Sequence, residues 1–224
     1  MEITVNNVSK KFGPTTVLDK VNLSLKSGNV YGFQGINGSG KTMLMRMIAG
    51  LIHPTEGEVS VDGKLLHGQN SFPESMGLLI ENPAFLGGYT GYQNLEMLAS
   101  INRKIGKEEI RGSLTRVGLD PDDKKKYRKY SLGMKQRLGI ACAIMEKPDL
   151  IILDEPLNSL DENGIEMVLS IIRDEKERGA LIIMACHDYE TLTAMTDEIF
   201  RIVAGKISRH LQKTDYENFS EARI

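Results

Sequence analysis

Eight residues, Gly35-Ile-Asn-Gly-Ser-Gly-Lys-Thr42, gather three glycines, a lysine and a hydroxyl in one short loop. The pattern G-x-x-x-x-G-K-[ST] is suited to holding phosphate. Its glycines let the backbone curl, so that successive N–H groups point at phosphate oxygens. A helix N-terminus behind the loop adds positive potential. Gly35, Asn37, Gly38, Ser39, Gly40, Lys41 and Thr42 are therefore the expected nucleotide-binding residues. Lys41 should reach the β- and γ-phosphates, and the Thr42 hydroxyl should sit on Mg²⁺. A glycine-rich turn with no ligand is the bland alternative, and the strand–loop–helix setting argues against it.

A second group is the pair of carboxylates in Leu150-Ile-Ile-Leu-Asp-Glu-Pro156. They end an apolar strand, the edge of an open α/β sheet where ligands bind. Asp154 suits the Mg²⁺ of a nucleotide enzyme. Glu155 can polarise an attacking water as general base. Taken alone, the pair reads equally well as a cap on the next segment.

A third carboxylate, Glu81, leaves the short apolar run Met76-Gly-Leu-Leu-Ile80 just before Pro83. Hiding a charge at a strand end is costly, so Glu81 is expected to face something polar.

These groups need strands and helices to hold them. Val30 to Gln34 reads as the strand ahead of the phosphate loop, and Gly40 to Ala49 as the helix behind it. Leu150 to Leu153 and Ala180 to Ala185 are unbroken apolar runs, as in strands buried on both faces of a parallel sheet. Between them, apolar spacing predicts a helix over Asn163 to Arg178. Val21 to Leu25 alternates like a half-buried strand. Val59 to Val61 followed by Asp62-Gly63 reads as a hairpin. Helices are expected over Asn94 to Ser100, Lys107 to Val117 and Leu132 to Met145. The charged segment Asp122 to Lys129 is expected to be a solvated loop. The fold class is thus α/β: a P-loop NTPase core with an antiparallel β edge and an inserted α-helical subdomain. The core spans about 1–82 and 148–224, and the subdomain about 83–147, in one domain of 224 residues.

Composition excludes some functions. Lys and Arg number 28 against 30 Asp and Glu, which leaves no basic footprint for nucleic acid. The longest apolar runs are too short to cross a bilayer, and the N-terminus does not read as a secretory signal. Cys142 and Cys186 lie in apolar runs and read as reduced core residues of a cytosolic protein.

Tyr130-Ser-Leu-Gly-Met-Lys-Gln-Arg-Leu-Gly-Ile-Ala141 makes the reading more specific. It resembles the signature sequence of the ATP-binding cassette (ABC) family. Ser131, Gly133, Gln136 and Arg137 match the common form, whereas Tyr130, Leu132 and Met134 depart from it. Asn158-Ser-Leu-Asp161 resembles the family's loop after the second carboxylate motif. His187 matches its switch histidine, and Phe12 the aromatic that stacks on adenine. Edge packing is the alternative for Phe12. The resemblance runs from about Ile3 to His210.

The resemblance implies ATP and Mg²⁺ as cofactors, with Glu155, His187 and Lys41 as catalytic residues. It implies that Phe12, Ser131, Gly133 and Asp161 contact nucleotide, and that Thr42, Asp154 and Glu81 serve the metal. It further implies a head-to-tail dimer sandwiching two ATPs, with Ser131 and Gly133 of one copy capping the γ-phosphate held by the other. The implied partner is a separately encoded transmembrane permease, docked near Glu81 to Ser100, which holds the chain on the cytoplasmic face of the membrane. The signature resembles the branch exporting drugs, bacitracin and lantibiotics, whose immunity members often carry Glu where Glu81 stands. An ABC ATPase acting on ribosomes or DNA is the alternative, and a P-loop kinase of small molecules a more distant one.

Overall fold

The computed structural model describes residues 1–67, 72–81 and 83–215. Asn82, the expected core boundary, lies outside the described residues, as does the end of the chain from 216.

The chain opens with a long hairpin, β1 (Glu2–Phe12) and β2 (Thr15–Lys26). β3 (Val30–Gln34) follows, then the phosphate loop and α1 (Lys41–Ile48). A second hairpin joins β4 (Glu56–Val61) to β5 (Lys64–Leu65). Its Asp62 and Gly63 have φ of 49° and 75°, the left-handed geometry of a tight primed turn. β6 (Met76–Leu79) leads into the helical region: α2 (Gly91–Asn102), α3 (Lys107–Arg116) and α4 (Leu132–Ile144). The chain returns through β7 (Leu150–Asp154), α5 (Glu162–Glu177), β8 (Leu181–Ala185) and α6 (Tyr189–Met195). It ends in the hairpin β9 (Glu198–Val203) and β10 (Lys206–Gln212).

Two sheets result. One is antiparallel, in the order β2-β1-β4-β5; the other runs β10-β9-β3-β8-β7-β6. Strands β9, β3, β8, β7 and β6 are parallel, and β10 is antiparallel to β9. Successive strand side chains point to opposite faces, and β7 and β8 bury both. Leu150, Ile152, Leu181 and Ile183 pack with the antiparallel sheet and α1. Ile151, Leu153, Ile182 and Met184 pack with residues of α2 to α5. Two cores back to back thus clamp the central strands, and their C-terminal ends carry the site.

Several elements depart from the expectation. β2 begins at Thr15, ahead of the alternating stretch at Val21 to Leu25, because β1 pairs with it from Phe12 onward. Strands β1, β9 and β10 and helix α6 were not anticipated. The segment Asp122 to Lys129 is not a wholly solvated loop: Tyr127, in a 3-10 turn over Tyr127–Lys129, is buried. It packs edge-on to Phe85 and its hydroxyl donates to the Pro83 carbonyl. An aromatic amid charges can drop into the core while its neighbours stay wet.

Candidate functional site

The phosphate loop connects β3 to α1. Gly35 permits a close approach: a Cβ there would stand 2.4 Å from the Ile202 carbonyl oxygen and 2.5 Å from Ser39 Oγ. Gly40 begins α1 at φ 112°, and no side chain caps the helix. The first N–H groups of α1 therefore keep no side-chain partner, as an anion site requires.

Lys41 is buried, yet among the described residues its Nζ donates only to the carbonyls of Gly35 (2.6 Å) and Ile36 (3.2 Å). Neutral carbonyls compensate a buried ammonium poorly. Ser39 Oγ is buried with no hydrogen-bond partner at all, and such orphaned groups are rare in native proteins. An unbalanced cation and an orphaned hydroxyl in one loop fit a phosphate. The cavity in front measures about 320 Å³ and is lined by Val17, Asn37 to Met43, Asp154 and Glu155. A larger cavity, about 520 Å³, opens between α5 and α6 near Val30 and Met195; its Asp197 carboxylate is already paired with the Val30 N–H and Lys176 Nζ.

Thr42 Oγ1 donates to Asp154 Oδ2 at 2.7 Å. The hydroxyl and carboxylate thus meet at the end of β7, an oxygen pair of the kind Mg²⁺ takes. Glu155 follows with φ 50°, a left-handed conformation costly for a residue with a side chain. Four contacts hold it there, one of them from the Asn158 N–H to the Glu155 carbonyl at 3.3 Å. Its N–H donates to the Ala185 carbonyl at 3.0 Å. Its carbonyl accepts from Gln136 Nε2 at 3.0 Å. Its Oε2 lies 3.0 Å from His187 Nδ1. The parallel register pairs Asp154 with Ala185, so the residues just beyond these strand ends emerge side by side.

The signature stretch starts α4. Ser131 Oγ accepts from Met134 N at 3.2 Å and so caps the helix. A Cβ on Gly133 would stand 2.9 Å from the Ser159 carbonyl, so the signature lies against the loop leading to Asp161. Asp161 caps α5 through Gly164 N (3.0 Å), and its Oδ1 also receives Arg137 Nη2 at 3.1 Å. Ser131, Gly133 and Asp161 do not line the phosphate cavity of their own chain.

Two other expected residues also stand apart from that cavity. Phe12 is half exposed, with Lys10 Nζ 5.1 Å from its ring centre. Glu81, at φ 61°, does face a polar group: Arg46 Nη2, at 2.6 Å. Arg46 belongs to the last turn of α1, so the third carboxylate is tied to the helix that carries the phosphate loop.

Sequence reasoning missed the anchoring role of Gln136. It had matched the signature, but the glutamine's reach to Glu155 needs α4 laid against β7. Cys186 was read as plain core. It is buried, and burial pushes its thiol above the ordinary value. Asp188 caps α6, and the Thr191 hydroxyl holds its carboxylate below the usual range.

Comparison with known proteins identifies the family. The family model described as "ABC transporter" matches residues 18–158. An uncharacterised ABC transporter ATP-binding protein of Bacillus subtilis, YybJ, is 45% identical over 92% of this chain and 94% of its own. The bacitracin transport ATP-binding protein BcrA of Enterococcus faecalis is 40% identical over 88% of this chain and 65% of its own. The lantibiotic transport ATP-binding protein SrtF of Streptococcus pyogenes is 33% identical over 98% and 94%. A solved dimeric bacterial ABC transporter cassette superposes with a TM-score of 0.84 at 25% identity, over 94% of this chain and 98% of its own. The chain belongs to the ABC transporter family, as an ATP-binding and ATP-hydrolysing cassette.

Proposed function

We propose that this cassette powers the export of an antimicrobial peptide or drug through a separate transmembrane permease, as a self-protection device. Relatives named for bacitracin and lantibiotic transport support the cargo class. Among the described residues no helix is long and apolar enough to cross a membrane; in this reading a partner supplies the translocation path. Leu86, Tyr89, Leu98 and Ile101 are exposed on and before α2, beside Glu81 in sequence. That apolar face is where the permease docks in this reading.

The observation that carries the hydrolytic mechanism is Glu155, held in a strained conformation beside His187 and next to the Thr42–Asp154 pair. Lys41 and the N–H groups of the loop bind and orient the β- and γ-phosphates. Thr42 and Asp154 would hold Mg²⁺, which when bound neutralises charge on those phosphates. Glu81 would offer it a third oxygen if released from Arg46. Glu155 takes a proton from the attacking water, and His187 orients Glu155 through its ring nitrogen. Phe12 supports the adenine at the rim. Ser131, Gly133 and the start of α4 face away from their own cavity and serve a second copy, with Asp161 beside them at the same interface. ATP binding then closes a dimer and hydrolysis releases it, which is the stroke delivered to the permease. The chain acts as a single cassette in which α2 to α4 form the helical subdomain.

Glu155→Gln tests the mechanism. It should retain ATP and accumulate a dimer visible by light scattering, with turnover largely lost; hydrolysis at the full rate would show another base. Purification from detergent extract tests the transport reading. A co-purifying protein with about six apolar segments of roughly 20 residues is expected. Co-sedimentation with ribosomes or nucleic acid in its place would overturn the reading.

A further inference from the structure

Cys186 does not line the phosphate cavity and is not needed by the hydrolytic reading, yet its thiol stands close to Glu155 and His187. Glu155, Cys186 and His187 each offer one ligand atom, and the three atoms lie within 4.8 Å of one another. Their convergence is fixed by the backbone. Glu155 follows β7 while Cys186 and His187 follow β8, and the Glu155 N–H to Ala185 carbonyl bond locks the two strand ends together.

The donor set is one sulfur, one imidazole nitrogen and one carboxylate oxygen. This is a poor set for Mg²⁺, which asks for six oxygens in an octahedron. Zn²⁺ accepts all three donors in a tetrahedron and leaves a fourth position for water. Bonds of about 2.0–2.3 Å would place the donors roughly 3.5 Å apart. Nδ1 and Oε2 are already 3.0 Å apart. Against the 4.8 Å limit on the three ligand atoms, the sulfur has at most about 1.3 Å to close. Cys186 is buried and fixed, whereas the His187 side chain is 67% exposed and can turn to meet it.

We propose that Glu155, Cys186 and His187 form a binding site for a thiophilic divalent cation of the Zn²⁺ class, and that its occupation halts ATP hydrolysis while leaving the phosphate cradle intact. The inhibitory half rests on the reading of Glu155 as base and His187 as its orienting partner. The cation occupies the lone pair that would take the water's proton. Lys41, Thr42 and Asp154 lie outside the donor set, so nucleotide still binds. Mg²⁺ in excess does not relieve the block, because it competes poorly for sulfur and imidazole.

The test uses the full chain and three metals. Titration with Co²⁺ or Cd²⁺ should give a thiolate-to-metal charge-transfer band that saturates at one equivalent, and Zn²⁺ should displace it. Cys186→Ser should abolish the band and weaken Zn²⁺ binding by more than about 100-fold, since loss of a mere outer partner already costs 10- to 100-fold. Cys142→Ser should keep both, because Cys142 lies on α4 and is not one of the three converging donors. Zn²⁺ should inhibit wild-type ATPase under excess Mg²⁺, while Cys186→Ser keeps the basal rate and resists. Cys186→Ala, with the metal-free melting temperature matched to wild type, guards against a folding artefact. No band in the wild type, or a band that survives in both Cys186 variants, overturns the site. A band without inhibition overturns the inhibitory half. Full hydrolysis in Glu155→Gln would remove the proposed base yet leave the spectroscopic result standing, so the two failures are distinguishable.

Discussion

Arg46 Nη2 approaches Glu81 Oε1 to 2.6 Å, joining the last turn of the phosphate-loop helix to the residue that leaves β6. Glu81 thus pairs with a cation of α1 rather than lining the phosphate cavity. The Glu81 side chain is 62% exposed, so the pair adds only about 0–1 kcal/mol of stability. Its value is positional. It links the nucleotide side of the molecule to the stretch just ahead of the helical region. Glu81→Gln and Arg46→Gln should each leave ATP affinity within about fivefold, because at most ~1 kcal/mol is at stake. Both should change transport, measured as cell survival under the exported compound with the permease present. An equal loss of affinity and transport would make the pair structural only.

Gln136 holds the Glu155 carbonyl, and with it the left-handed backbone that aims the carboxylate. Gln136→Ala should lower kcat by about 10- to 100-fold, the usual cost of a misplacement near 1 Å. ATP affinity, read by fluorescent nucleotide displacement, should stay near wild type. A rise in Kd to match the fall in kcat would show that Gln136 supports the whole cradle.

Among the described residues Lys41 has only carbonyls for partners, so phosphate is its natural counter-charge. Lys41→Ala removes a charge-assisted contact and should weaken ATP binding by at least about tenfold, the equivalent of 1.4 kcal/mol. Calorimetric titration checks this, and unchanged affinity would remove Lys41 from the site. The same variant should melt no lower than wild type, because it relieves a poorly compensated buried ammonium.

Gly77 lies in β6 against α4. A Cβ there would sit 1.7 Å from the Ala143 carbonyl oxygen, with Pro148 behind it. Both are parts that cannot swing aside. Gly77→Ala should cost about 3 kcal/mol through overpacking, seen as a lower midpoint in urea unfolding. A cost under about 1 kcal/mol would mean that β6 and α4 can slide apart.

The phosphate loop and the Asp154–Glu155 pair were legible in the chain because local geometry makes them. A glycine run behind a buried strand curls one way, and carboxylates ending an apolar run must surface at its C-terminal edge. The apolar runs of β3, β7 and β8, buried on both faces, marked the central sheet for the same reason. Other features depended on elements distant in sequence. The strands β1, β9 and β10 carry mixed polar residues, and their partners decide them. Tyr127 is buried only because Phe85 and Pro83 come to meet it. Cys186 was one buried thiol in an apolar run until β7 and β8 set it beside Glu155 and His187. Glu81 was a charge in search of a partner, and α1 brought Arg46. Sequence by itself therefore determined the chemistry this chain can perform, since that resides in residue types at short spacing. Only the tertiary structure decided which groups share a charge, a proton or a metal, because those relations fall off within a few ångströms and parallel strands bring together residues far apart in the chain.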